Sequence, residues 1–178
     1  MANDPQIDKP YIRAQKLLAQ LSIKSLPTPV EKIAKALGAE VRFAPFDEEL
    51  SGMIHIKEGV PIIGVNSLHH PNRQRFTIAH ELGHLELHRD MITRNVHVDK
   101  EFPVLMRDTK SSTGTEQIEI EANQFAAELL MPRLMIDQVL TGKQFDIEDD
   151  RPIEELAKKF RVSKQALEYR IRSLGHLP

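Results

Sequence analysis

The chain has no cysteine and no tryptophan, its aromatics amount to 5%, and no apolar run approaches membrane-spanning length. Without cysteine there is no disulfide framework and no thiolate metal site, which fits a reducing compartment. A membrane helix needs roughly 18 or more consecutive apolar residues, so no membrane segment is expected. The first ten residues, M-A-N-D-P-Q-I-D-K-P, lack the apolar stretch of a signal peptide. The expected location is cytoplasmic. Neither sign of charge dominates: 24 Lys and Arg face 26 Asp and Glu, a net of −2, so no global field calls for nucleic acid. No internal repeat or low-complexity tract is present. A length of 178 residues fits one domain, or one domain with a small appendage.

What the chain does have is F-T-I-A-H-E-L-G-H-L-E-L-H over residues 76–88, with H-E-x-x-H at His80, Glu81 and His84. Four residues on a helix make about one turn, roughly 6 Å along the axis. Two imidazoles so placed can hold one metal ion, and Glu81 beside them can act as general base on a metal-activated water. The flanks Phe76, Ala79, Leu82, Leu85 and Leu87 are apolar, as a buried helix requires. His70-Pro71-Asn72 is a natural helix start.

The remaining pattern is that of an α+β fold. Residues 9–22 read as a helix with an Ile12, Leu17, Leu18, Leu21 stripe. A second helix follows Thr28-Pro29, with Thr28 as N-cap, Glu31 closing a capping box and Gly38 as its stop. The N-terminal helices thus occupy 9–38. Strands follow within 40–66: 40–45, 52–57 and 61–66, the last two joined by Glu58-Gly59. They form a small three-stranded sheet. The third strand reads equally as a core strand or as an edge that pairs with an extended peptide. The metal helix covers 71–88. Arg73 and Arg75 in its first turns oppose the helix dipole, so specific partners are expected. A short strand is expected within 92–98, then a surface loop over 99–115, a candidate gate. His97 is read first as a surface residue and second as a transition-state donor. His69 and His70 read as surface residues. The helix 116–131 buries Ile118, Ala122, Phe125, Ala126 and Leu129. A short helix at 133–140 and an acidic linker at 141–150 complete the region. The expected division is a catalytic unit, 1–140, and a C-terminal segment, 151–178.

That segment reads as helix, turn, helix, with Ser163 capping the second helix. It carries seven Lys or Arg and three Glu, and its spacing resembles a DNA-binding helix-turn-helix. One modestly basic unit would hold DNA weakly, so packing against the catalytic unit is the favoured reading.

Two histidines leave a catalytic zinc site short, since three protein ligands are usual. His88 lies eight residues from His80, roughly 12 Å along a straight helix, too far to share the ion. The metzincin offsets hold Leu87 and Asp90 instead of Gly and His. A carboxylate from 116–131 remains: Glu116, Glu119, Glu121 or Glu128. Glu119 and Glu121 border the apolar stripe on opposite sides, and periodicity does not choose between them.

F-T-I-A-H-E-L-G-H followed by E-I-E-A-N-Q-F-A-A-E-L-L-M-P resembles the ImmA/IrrE family of zinc metallopeptidases. The resemblance runs from about Gly52 to Pro132. It implies a zincin-like fold, with the sheet beside an active-site helix pair, and a Zn2+ cofactor. It makes the Glu of E-A-N, here Glu121, the third ligand, with Glu119 as fallback and Asn123 as a supporting residue. It implies a zinc endopeptidase in which Glu81 assists attack by the zinc-held water on a protein substrate, a partner transcriptional repressor of helix-turn-helix type or another regulatory protein. Two alternatives are a zinc-containing regulator that binds DNA or a repressor without cutting it, and a toxin–antitoxin component.

Overall fold

A computed structural model describes residues 9–94, 97–99, 114–141 and 151–176. The architecture is α+β. Helices α1 (Pro10–Gln20) and α2 (Val30–Ala36) precede strands β1 (Glu40–Ala44), β2 (Gly52–Lys57) and β3 (Val60–Asn66). Helices α3 (Pro71–Leu87) and α4 (Arg89–Arg94), strand β4 (His97–Asp99), and helices α5 (Gly114–Leu130), α6 (Arg133–Leu140), α7 (Arg151–Phe160) and α8 (Lys164–Ser173) follow.

The sheet has four strands in the order β1-β3-β2-β4, one more than the sequence suggests. β2 and β3 form a hairpin whose two turn residues, Glu58 (φ 52°) and Gly59 (φ 83°), both take positive φ. That geometry matches the right-handed twist of paired strands. β1 lies parallel to β3 on its other side. The edge reading of β3 is therefore corrected: it is internal, bonded on both flanks. Its run Pro61–Asn66 is buried throughout, as suits a strand covered on both faces. β4 pairs with β2 from Gly52↔Asp99 to Ile54↔His97. The short strand sought within 92–98 thus begins only at His97, and Ile92 belongs to α4.

Asn66 ends β3 and fixes the turn before β2. Its Nδ2 donates to the carbonyls of Asp47 (3.1 Å) and Leu50 (2.8 Å), and its Oδ1 accepts from Leu68 N (3.0 Å). The two arginines at the start of α3 find the partners their placement demands. Arg73 Nη2 donates to Ser51 Oγ at 2.8 Å, and Arg75 Nη2 to the Thr28 carbonyl at 2.9 Å. Thr28 does not cap α2 through its side chain. The helix begins at Val30 behind Pro29, and the Thr28 carbonyl turns to Arg75 and to Val30 N.

α3 is buried almost all round from Thr77 to Leu85. It lies between the sheet and α5, with α1 closing over α5. Ile54, Ile63, Ile78, Leu82, Phe125 and Leu129 fill that core. The C-terminal helices add Phe160, Leu167 and Ile171 to the same core, with Ser163 Oγ accepting from Ala166 N at the start of α8. Arg170 fastens α8 to α5: its Nε donates to the Met131 carbonyl at 3.1 Å and its Nη2 pairs with Glu128. His176 meets Asp137 of α6 at 2.6 Å. No described helix is long and apolar enough to cross a membrane. The acidic linker from 142 and the candidate gate over 100–113 lie outside the described residues.

Candidate metal centre

The centre rests on a close approach of two helices. Gly83, inside H-E-L-G-H, faces Ala122 of α5. A methyl group at Gly83 would stand 3.0 Å from both the Cα and the carbonyl oxygen of Ala122. The missing side chain lets the backbones come together, and each helix then shows the other one turn of polar residues. From α3 come His80 and His84, both buried. From α5 come Glu119 and Asn123, also four residues apart, on either side of Ala122.

Glu119 takes the position between the histidines. Its Oε2 lies 3.2 Å from His80 Nε2, and its Oε1 lies 3.5 Å from His84 Nε2. The two Nε2 atoms are 2.9 Å apart. His97 arrives from β4: its Nε2 is 3.2 Å from Glu119 Oε1, and its ring centre is 4.1 Å from that of His84. One ligand atom from each of His80, His84, His97 and Glu119 lies within 4.8 Å of all the others.

The donor set fits a metal cation. His80 Nδ1 sits 2.9 Å from Asn123 Oδ1. An amide oxygen only accepts, so Nδ1 donates to Asn123, and Nε2 is the ring atom turned toward Glu119. Burial pushes His84 down to about 3 against the pull of Glu119, with His80 and His97 adding to the lowering. This ring is therefore neutral near pH 7. Burial alone would raise the Glu119 carboxyl, but the three histidines around it outweigh that and hold it far below the ordinary range. Imidazole nitrogens and a carboxylate converging in a buried space form a set of donor atoms that a cation would join. Nitrogen and oxygen donors of this kind suit zinc and other first-row divalent ions.

Glu81 is fully buried on the sheet side of α3. It faces β2 at Gly52, where an added methyl group would come within 3.3 Å of Glu81 Oε1 and would collide with Thr77. Gly52 thus leaves room for the carboxylate under the strand.

Of the residues singled out in the sequence, the structure brings together His80, His84, Glu119, Asn123 and His97. It does not bring Glu121 to them. Two residues on from Glu119, Glu121 points around the helix to His88 (3.4 Å) and to Gln117 (2.8 Å). The structure sets Glu119, and not the expected Glu121, against His80 and His84. Once Asn123 is seen to bond His80, a residue facing the same pair of histidines must share its face of α5, which four-residue spacing allows and two-residue spacing does not. The surface reading of His97 is likewise replaced, since its side chain is 20% exposed and lies inside the cluster. Nothing in its local sequence marked it; only the pairing of β4 with β2 brings it in. His88, set aside by the helix-length argument, stands apart from the four-residue set.

The radiation response metalloprotease IrrE of Deinococcus radiodurans is 34% identical over 119 residues, which is 66% of this chain and 32% of that protein. Its namesake from Deinococcus deserti is 37% identical over 110 residues, 61% of this chain and 34% of that one. The chain thus spans about a third of the length of these curated relatives. A solved Mycobacterium tuberculosis transcriptional regulator shares the fold, with a TM-score of 0.59 at 16% identity over 91% of this chain and 46% of that one. The peptidase M78 match covers residues 34–172. It runs through the sheet, both site helices and most of the C-terminal pair, and on it the chain belongs to the peptidase M78 family, the IrrE N-terminal-like domain.

Proposed function

We propose that the chain is a zinc-dependent endopeptidase that cleaves a protein partner, with a helix-turn-helix transcriptional repressor as the substrate class. The observation that carries this reading is the convergence of His80, His84 and Glu119 from two helices, with the buried carboxylate of Glu81 next in sequence to His80. Zinc held there would polarise a scissile carbonyl and acidify water. Asn123 orients His80 by accepting from its Nδ1 and so turns Nε2 toward the metal position. Glu81 takes a proton from the attacking water and delivers it to the leaving amine. The names of the Deinococcus relatives, both metalloproteases, support the reaction type. The resemblance to the ImmA/IrrE family supports the substrate class. A cytoplasmic setting, and a division into a catalytic unit over 1–140 and a helical unit over 151–178, belong to the same proposal.

The test is Glu81→Gln. The variant keeps its zinc, and cleavage of a candidate repressor, followed by mass spectrometry of the fragments, falls by about 10²–10⁴-fold. Undiminished cleavage by the variant would sink the mechanism.

A reading without proteolysis, as a regulator that contacts DNA through 151–178, draws on the exposed Lys158, Lys159 and Arg161. The fastening of α8 to α5 through Arg170 favours a packed appendage instead.

A further inference from the structure

We propose that His97 is a fourth protein ligand that closes the metal site, so that the chain as folded is latent and becomes active only when β4 withdraws this one side chain. The inference rests on the metal-site reading above and goes beyond it.

Four donors about 2.1 Å from a tetrahedral zinc stand about 3.4 Å from one another. The separations of His80, His84 and His97 from Glu119 are 3.2, 3.5 and 3.2 Å, and that between His80 and His84 is 2.9 Å. His97 Nε2 thus stands at ligand-to-ligand spacing from Glu119, inside a shell of four donor atoms that all lie within 4.8 Å of one another. A residue that only steadied a transition state would stand outside this shell, beyond the reacting oxygen.

Catalytic zinc keeps a position open for water or substrate, whereas four protein donors are the mark of a closed, structural site. A closed site has no use for a general base. Yet Glu81 is retained and buried, and Gly52 makes room for it. Closure together with a base in place describes an enzyme held in reserve.

His80, His84 and Glu119 stand on two helices locked together at Gly83 and Ala122. His97 stands on a three-residue strand at the edge of the sheet, paired with β2 alone among the described residues. Short edge strands open at far lower cost than packed helices. Of the four donors, His97 is the one able to leave while the others stay. Its departure would open that position to water and carbonyl oxygen, and the freed edge of β2 at Gly52–Ile54 would face the same opening.

The experiment uses the full chain loaded with Co2+, whose visible absorption distinguishes four from five ligands, and acetohydroxamate as a probe of an open position. Wild type should show a four-coordinate spectrum that acetohydroxamate barely perturbs. In His97→Ala, metal affinity measured by chelator competition should drop at least about tenfold, and acetohydroxamate should bind at least about tenfold more tightly than to wild type. Added imidazole should restore the wild-type spectrum, which no purely structural role of His97 would allow. His97→Asn, with circular dichroism on both variants, replaces the alanine variant if that one unfolds. Equal metal affinity and equal acetohydroxamate binding in wild type and variant would overturn the proposal and leave the metallopeptidase reading intact. Failure of the wild-type chain to bind either Zn2+ or Co2+ would overturn both.

Discussion

At the scale of single residues, the division of labour between Glu119 and Glu121 is the sharpest statement the site makes. Both are glutamates of one helix with equal side-chain exposure, yet only Glu119 meets the histidines. Glu119→Ala is expected to lower bound zinc, by metal analysis of dialysed protein, well below one equivalent. Glu121→Ala is expected to leave it unchanged, and the reverse pattern would return the role to Glu121. The acid–base state of His84 makes a second prediction, for the metal-free protein. Its folded pKa, about 3, lies below the ordinary 6.5. The unfolded chain therefore takes up a proton near pH 6.5 that the folded chain refuses until about pH 3. The stability linked to His84 is complete above pH 6.5 and is lost as the pH falls toward 3. The melting temperature of the apo-protein should drop between pH 7.5 and pH 5 on this account, and a flat profile would mean that the fold accepts the proton.

At the scale of elements, α3 and α5 act as one part. Gly83→Ala would force a methyl group against the Ala122 backbone, which in a tight helix contact costs about 1–3 kcal/mol. It would also move Glu119 away from both histidines. The variant should melt earlier and bind zinc more weakly, and a loss of stability with unchanged zinc affinity would separate the helix contact from the site. Most of this part was legible in the sequence. The spacing of His80 and His84, the apolar stripe of α5 and the capping Ser163 each follow from helix periodicity, which is local. The choice of Glu119 depended on the rotation of α5 about its axis, which tertiary packing at Ala122 sets. His97 depended on which strand neighbours β2, a long-range pairing with no local mark. Thr28 shows the same limit in reverse: a good capping motif yields where Arg75, forty-seven residues away, claims the Thr28 carbonyl. The internal place of β3 follows from β1 joining it in parallel, a partnership that alternation along a single strand does not encode.

At the scale of the whole molecule, the C-terminal pair is tied to the helix that carries Glu119. Glu128, 2% exposed, accepts from Gln15 at 3.0 Å and from Arg133 N at 3.1 Å, and pairs with Arg170. One buried carboxylate therefore joins α1, α5, α6 and α8. Arg170→Ala leaves that charge with its neutral donors only, and breaking a buried pair from one side costs about 3 kcal/mol. Denaturant unfolding should register the loss across the whole chain as a single transition. A separate early transition of 151–176 would instead make the C-terminal helices an independent unit.

The metal donors come from α3, β4 and α5, at positions 80, 84, 97 and 119. An ion gripping all four is a cross-link as well as a reagent. It closes one loop of chain between 84 and 97 and a second between 97 and 119, and it restricts the unfolded ensemble much as a disulfide does. A chain without a single cysteine would thus take its staple from the same ion that serves its chemistry.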